Sequence, residues 1–587
     1  MPVLRPLNHL RRLVTRLRGI AAPGRPGLVA IACLGIAWGL VMHTMGWAQL
    51  AHFAQVRAIA DGRASIDPWH WETKDKAWTE GHFYSVKAPG LPLLSLPEYV
   101  ALDAAGAWSV SRDAAARASD SDHPRWTPLG RSYPYALQYG FDPQRAMRVE
   151  AQIEDETAMV WALTLPVAVI PALLLLLLVR WAAERIEPGY GTAAAITLGL
   201  GTILMTFAAE YFSHVASAAL GFAAFAILFR ERQGPPRVAA VAGAGLLAGV
   251  AVTFEYPLGL LGVILFAYAL ARRAPRIPRA AAYSVAAVIG AAPALAFNWW
   301  ALGSPFDFAY SSAVAVQGYS GHAVLGLNDP GFFGIGLPRP GAVLELLIAS
   351  RGVLTLTPVL VAAIAGAFLM RQARWRAEAN VILAVAAVFF IYNAGYWLPF
   401  GGGTPGPRFM IPALPFVALA LAVAYRRMPA FTLAMAIPSA IFMLAGSMTY
   451  PLLGDNGTGT WARDLGDSTL EHTLLTVAGV RNGWLAALPV FALVIGAVVF
   501  AARATPSTRL RDLRFAAMAI PAWAVVSAVG PTLAGDPNTP LSHGTPALAL
   551  IAASAVIAGA TLLALHLRAR REEQPIPRSL LPSATRT

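Results

Sequence analysis

Residues 88–108, APGLPLLSLPEYVALDAAGAW, are apolar and long enough to be taken for a membrane span. Pro92, Pro97 and Glu98 interrupt the run, and counting it as a crossing would invert every connection after it. Read as a helix lying in the outer interface, it makes 49–155 a single external segment and lets the rest of the chain fall into register.

The wider composition supports this frame. Of 587 residues, 57% are hydrophobic and only 13% charged. Runs such as ALTLPVAVIPALLLLLLV (162–179) are long enough to cross about 30 Å of hydrocarbon as helices. The chain reads as an all-α polytopic membrane protein of about 14 transmembrane helices with an external juxtamembrane loop. The expected spans are 28–48, 156–180, 190–207, 213–229, 238–254, 257–271, 279–300, 351–370, 379–398, 408–425, 429–448, 483–502, 513–533 and 545–567. The run 238–271 is split at FEYP, where Glu255 and Pro257 break it.

With the basic N-terminus inside, RWAAER, FRERQGPPR, ARRAPRIPR, MRQARWR, YRRM, ARATPSTRLRDLR and HLRARR all fall on the cytoplasmic side, as the positive-inside rule requires. The organisation is then a cytoplasmic basic tail (1–27), a first span (28–48), an external loop (49–155), a multi-helix membrane domain (156–567) and a cytoplasmic tail (568–587). The expected location is the cell membrane, multi-pass, with both termini cytoplasmic. The net charge of +13 sits in these short arginine clusters, which mark orientation and not nucleic-acid binding. Cys33 is the single cysteine, so no intramolecular disulfide forms. The run after the basic N-terminus lacks a small-residue cleavage site and reads as an uncleaved helix.

Nearly all polarity other than arginine gathers in the external segments. HWETKDKAWTEGHFYSVKAPG (70–90) interleaves Glu72, Asp75 and Glu80 with Lys74, Lys76 and Lys87, and neighbouring charges of both signs set a carboxylate's protonation. The bland alternative is a solvated loop whose lysines meet lipid headgroups. In EYFSH, Glu210 and His214 are four apart and share a helix face. That pair suits a metal or a substrate hydroxyl, though a metal would need further ligands; the bland reading is a polar helix end. The metal is unknown and no cofactor is identified, a divalent cation being the one candidate. With His82, Tyr84 and Glu255, these two residues are the candidate lining of a substrate cavity.

FGGGTPGPRFMIPALPF (400–416) forces irregular backbone and places Arg408 at the start of a span. Oriented amides beside a guanidinium would bind a phosphate; the alternative is a hairpin whose arginine snorkels to headgroups. Lys87 and Arg351 are the other external cations at such a boundary. NGT at Asn456 fits an acceptor sequon. There is no GK[ST], GxSxG, HExxH or CxxC.

RAIADGRASID (57–67) followed by GHFYSVKAPGLPLLSLPEY (81–99) resembles the first external loop of the polyprenyl-phosphate-dependent glycosyltransferases of the GT-C superfamily, in the group of protein O-mannosyltransferases and aminoarabinose transferases. In that group a G…YFEKPPL motif opens a jaw helix. KDKAWTEGHFYSVKAPG and GGGTPGPR are also similar to patterns in proteins of high-GC bacteria. The resemblance implies a helical fold with a jaw over a cavity and a polyprenyl-phosphate-linked sugar as donor. It also implies a first-loop carboxylate as base and cations on the departing phosphate, here Lys87, Arg408 and Arg351. Relatives often carry an Asp-Glu pair after the first span, whereas MHTMGWAQLAHFA (42–54) has no acid. The base is therefore expected at Asp75, with Asp67 and Glu72 as rivals. The expected function is transfer of a hexosyl or pentosyl group to a glycan, lipid or protein acceptor of the cell envelope. The rival is a transporter or flippase of a lipid-linked or anionic solute.

Overall fold

The computed structural model describes residues 25–122, 143–271, 275–313, 334–452, 457–507, 509–536 and 545–573; the Asn456 sequon lies outside them. The chain is a helical membrane protein. Among the described residues nine helices are long and apolar enough to cross a bilayer, running from Ala151–Ile186 to Thr545–Arg570. A helix pair, Pro340–Leu356 and Val359–Arg371, bent by 87°, has the length and apolarity for a tenth when counted as one broken span. Four more apolar helices, Arg25–Leu40, Gly191–Leu200, Val238–Phe254 and Leu258–Leu270, are shorter. Each expected span overlaps one of these helices, but only nine or ten of the fourteen meet the length and apolarity of a crossing among the described residues. Ten residues of helix rise only about 15 Å, and Gly191–Leu200 ends at an irregular turn before Leu204–Phe207.

Burial separates centre from periphery. The span Arg408–Arg427 is 94% buried within the protein, whereas Arg276–Leu302 is 17% buried; an apolar helix with so little protein around it faces lipid. The long helix Ala151–Ile186 carries a π-type segment at Leu165–Val169, where Pro166 removes an N–H from the ladder.

The segment after the first span has its own secondary structure. Helix Trp47–Ala60 is followed by a hairpin in which Lys76 pairs with Ser85 and Thr79 with His82. Its two-residue turn, Glu80-Gly81, has φ of 50° and 86°, the geometry that matches strand twist. The interrupted run 88–108 becomes helix Gly90–Ala104 and the first residues of Ala107–Ser119. Gly90 decides where this unit docks. A Cβ there would lie 2.7 Å from the Thr253 carbonyl oxygen and 2.8 Å from the Phe254 Cα, so only glycine lets KAPG reach the FEYP turn.

A buried ion cluster ties the same unit to the long helix. Arg57 bonds Glu72 and lies 2.5 Å from Glu156, while Gln152 donates to Glu72 at 2.7 Å. Val41–Met42 also pairs with His472–Thr473, and the Thr44 N–H donates to Glu471 at 2.7 Å.

Candidate functional site

Where the hairpin unit meets the membrane helices there is a cavity of about 600 Å³. Five polar side chains from distant parts of the chain line it: His52, Lys87, His214, Glu255 and Arg408, among the rings of Phe212, Tyr256, Tyr310, Tyr392, Tyr396 and Phe409. Four of the five are placed by a local break in regular structure, while His52 lies within helix Trp47–Ala60. Lys87 lies between the second hairpin strand and the helix at Gly90. Glu255 is the residue at which helix Val238–Phe254 ends, and His214 sits in the first turn of Ser213–Arg232. Arg408 opens the 3₁₀ turn Arg408–Ala413.

The charges are arranged in pairs with one exception. Lys87 Nζ lies 2.7 Å from Asp75 Oδ2, and the Val86 N–H donates to the Asp75 carbonyl at 3.3 Å. His214 Nδ1 is 3.0 Å from Glu255 Oε1, which also accepts from the Ser213 hydroxyl. Burial raises the Glu255 carboxyl, but His214 and Ser213 outweigh it and hold the group down at about 2. Burial also lowers Lys87, with Arg408 adding to the effect and Asp75 opposing it. His52, pushed down to about 3 chiefly by burial, is neutral at physiological pH.

Arg408 is the exception. Among the described residues it forms no ion pair; its guanidinium lies over Phe409 at 5.2 Å and Phe212 at 5.8 Å, and its Nε is buried without a partner. The glycine-rich loop before it reaches this geometry through positive φ at Gly401, Gly402 and Gly406 (80°, 124° and 126°). Its N–H groups turn inward: those of Gly401, Thr404, Gly406 and Arg408 donate to carbonyls of Leu398, Gly402, Thr404 and Phe400. An anion placed here would meet the guanidinium and not a nest formed by these amides. Arg351 braces the same loop, donating to the Gly402 carbonyl at 2.7 Å and stacking over Phe400 at 4.5 Å; it is not among the cavity's lining residues.

The remaining sequence candidates lie elsewhere. Glu72 belongs to the buried Arg57 cluster. Asp67 accepts from the Phe83 N–H at 2.7 Å and from Ser65 at 2.8 Å, and pairs with exposed His82 at 2.8 Å, which anchors the hairpin. Tyr84 faces a smaller space behind Lys87. Glu210 is buried against Gln49. Of the three first-loop acids considered as bases, Asp75 is the one whose carboxylate meets a cavity residue. His52 escaped the sequence reading because WAQLAHFAQVR looks like an ordinary packed helix. Among the described residues no group of three His, Cys, Asp or Glu side chains is arranged to hold a metal ion.

No family model and no curated protein matches the chain. Solved structures to which it is similar include the archaeal oligosaccharyltransferase AglB from Archaeoglobus fulgidus in complex with an inhibitory peptide and a dolichol-phosphate, at 13% identity over 75% of this chain, TM-score 0.43. Another is ArnT from Cupriavidus metallidurans in the apo state, at 14% identity over 81% of this chain and 76% of that one, TM-score 0.38. A third is the apo oligosaccharyltransferase of Archaeoglobus fulgidus, at 13% identity over 82% of this chain, TM-score 0.40. The chain spans 58% and 56% of the two Archaeoglobus chains.

Proposed function

We propose that this chain is an integral-membrane glycosyltransferase that moves a sugar from a polyprenyl-phosphate donor to a cell-envelope acceptor. The observation that carries the reading is the cavity in which Lys87 and Arg408 converge. Lysine supplies a point charge and arginine a planar two-pronged donor, a combination suited to phosphate oxygens. On one side the wall is apolar: Leu260 and Ile391, from two hydrophobic helices, line it while 39% and 53% exposed. A prenyl chain fits such a wall, and the aromatic rings suit the face of a sugar.

In the proposed step the acceptor oxygen attacks the anomeric carbon and the carbon–oxygen bond to phosphate breaks. The bonding pair stays on the phosphate oxygen, where Lys87 and Arg408 offset the growing charge. The hydroxyl proton passes to Asp75, whose ionised form Lys87 favours. Glu255, held ionised by His214 and Ser213, is a weak base and serves to orient His214 and the bound sugar. We further infer about fourteen crossings in all, with the hairpin unit on the external face, both termini cytoplasmic and the protein in the cell membrane.

The test is turnover by detergent-solubilised protein given lipid-linked sugars extracted from a strain lacking the gene. Transfer in detergent, where no second compartment exists, supports an enzyme. Absence of turnover, together with movement of the same lipid across proteoliposome membranes, would make the chain a flippase.

A further inference from the structure

Behind the wall formed by Val86, Lys87 and Tyr256, which the main cavity shares, lies a second space of about 10 Å³. That is the room of one water molecule or one hydroxyl group. Gln55 faces it. The residue is 1% exposed, and neither the oxygen nor the nitrogen of its amide has a hydrogen-bond partner among the described residues. Three positions earlier on the same helix, His52 lines the main cavity, 2% exposed and with Nδ1 likewise unpartnered. Residues three apart on a helix are neighbours, so Gln55 and His52 hold unmet, buried polar atoms beside the two compartments on either side of Lys87.

Buried polar groups are almost always paired, and an unmet one costs more than a hydrogen bond gains. Three such atoms on one helix face, at the edge of a substrate cavity, fit a ligand that brings the missing partners. The recess also shows what that ligand is like. Around Gln55 stand Tyr84, Ser85, Tyr256 and Asn298, amides and hydroxyls without formal charge. The bonds among them are long: Tyr256 to Asn298 at 3.4 Å and Asn298 to the Pro305 carbonyl at 3.5 Å. A better-placed hydroxyl can displace them. The one cation in the recess wall, Lys87, is paired with Asp75 and, in the reading above, is also taken by the donor phosphate, so an anionic acceptor would have to compete for it.

We propose that Gln55 and His52 form the acceptor subsite, and that the acceptor is a neutral carbohydrate whose hydroxyl enters the recess beside Lys87. This rests on the donor reading above, with the phosphate end on Arg408 and the acceptor approaching from the helix Trp47–Ala60. His52, neutral between two ion pairs, accepts a hydrogen bond from a second hydroxyl without competing for the transferred proton.

The test uses the full chain in nanodiscs saturated with farnesyl phosphate. Saturation-transfer NMR is recorded with methyl α-mannopyranoside and methyl β-galactopyranoside, and with glucose 6-phosphate and a threonine peptide as contrasts. At least one neutral glycoside should show transfer, and Gln55→Leu should weaken it at least about tenfold. In the same variant farnesyl phosphate binding is unchanged and the melting temperature does not fall, since leucine replaces an amide that has no partner. If Gln55→Leu does not fold, His52→Asn is measured in the same way and should also weaken the glycoside. Unchanged glycoside binding in the folded variant overturns the proposal. So does binding of the peptide or the sugar phosphate in place of the glycosides, or farnesyl phosphate binding with no glycoside signal at all. Failure of farnesyl phosphate itself to bind is a separate result and counts against the donor reading.

Discussion

Replacing Arg408 gives the cleanest measure of the proposed phosphate site, because its side chain neutralises no other charge among the described residues. It has no ion pair among the described residues, and its Nε is buried without a partner, so truncation strands no carboxylate. Lys87 differs, since its loss would leave Asp75, at 19% side-chain exposure, without its cation. A charge-assisted hydrogen bond to phosphate contributes roughly 1.5–3 kcal/mol, and about 1.4 kcal/mol is a factor of ten in affinity. Arg408→Ala should therefore weaken farnesyl phosphate about tenfold to a hundredfold, with a melting temperature close to that of the unaltered protein. Arg408→Lys keeps the charge but loses the planar fork and should fall between the two. Intrinsic tryptophan fluorescence titration in nanodiscs reads the affinities, and circular dichroism melting reads the fold. An Arg408→Ala protein that binds farnesyl phosphate as tightly as the parent refutes the reasoning and leaves this guanidinium a headgroup anchor.

Asp75→Asn should abolish transfer while donor affinity changes little, and turnover persisting in this variant would move the base to Glu255. Arg57→Met should lower stability by about 3–5 kcal/mol, because it leaves Glu72 and Glu156 buried without a counter-charge; chemical denaturation of the solubilised protein checks it. Lys76 is 2% exposed and donates to the His70 carbonyl, and burial lowers it from 10.5 to about 7. Since the unfolded chain binds the proton more tightly, this group costs stability fully below pH 7 and progressively less up to about pH 10.5. Lys76→Met should therefore raise the melting temperature more at pH 6 than at pH 9, and an equal rise at both would show that the amine is not the cause. With Cys33 replaced, a cysteine at Glu80 should react in intact cells with an impermeant maleimide and one at Gln233 should not; the reverse pattern inverts the proposed topology.

How much of this was legible in the chain differs from residue to residue. Helical membrane character follows from composition alone, because a bilayer requires long apolar helices whose backbone groups bond internally. Lys87 and Arg408 were readable for a local reason: KAPG and GGGTPGPR break regular backbone beside a helix, and glycine and proline announce such breaks in any context. Asp75 shared that visibility through its lysine neighbours. Gly90 had a clear local role as a break, but its docking against Thr253 and Phe254 involves residues far away in sequence.

The sequence by itself thus determined the solvent the chain lives in, where its most apolar helices fall and which cations stand at breaks beside helices. Tertiary structure alone decided which acids stay at the cavity: Glu72 is drawn into the Arg57 cluster, Asp67 into the hairpin anchor, and Glu255 is brought in beside His214. It alone also exposes His52 and Gln55. In WAQLAHFAQVR a histidine and a glutamine look like any polar residues on a packed helix, because an unmet hydrogen bond is a property of what surrounds an atom, and those surroundings come from segments up to several hundred residues away.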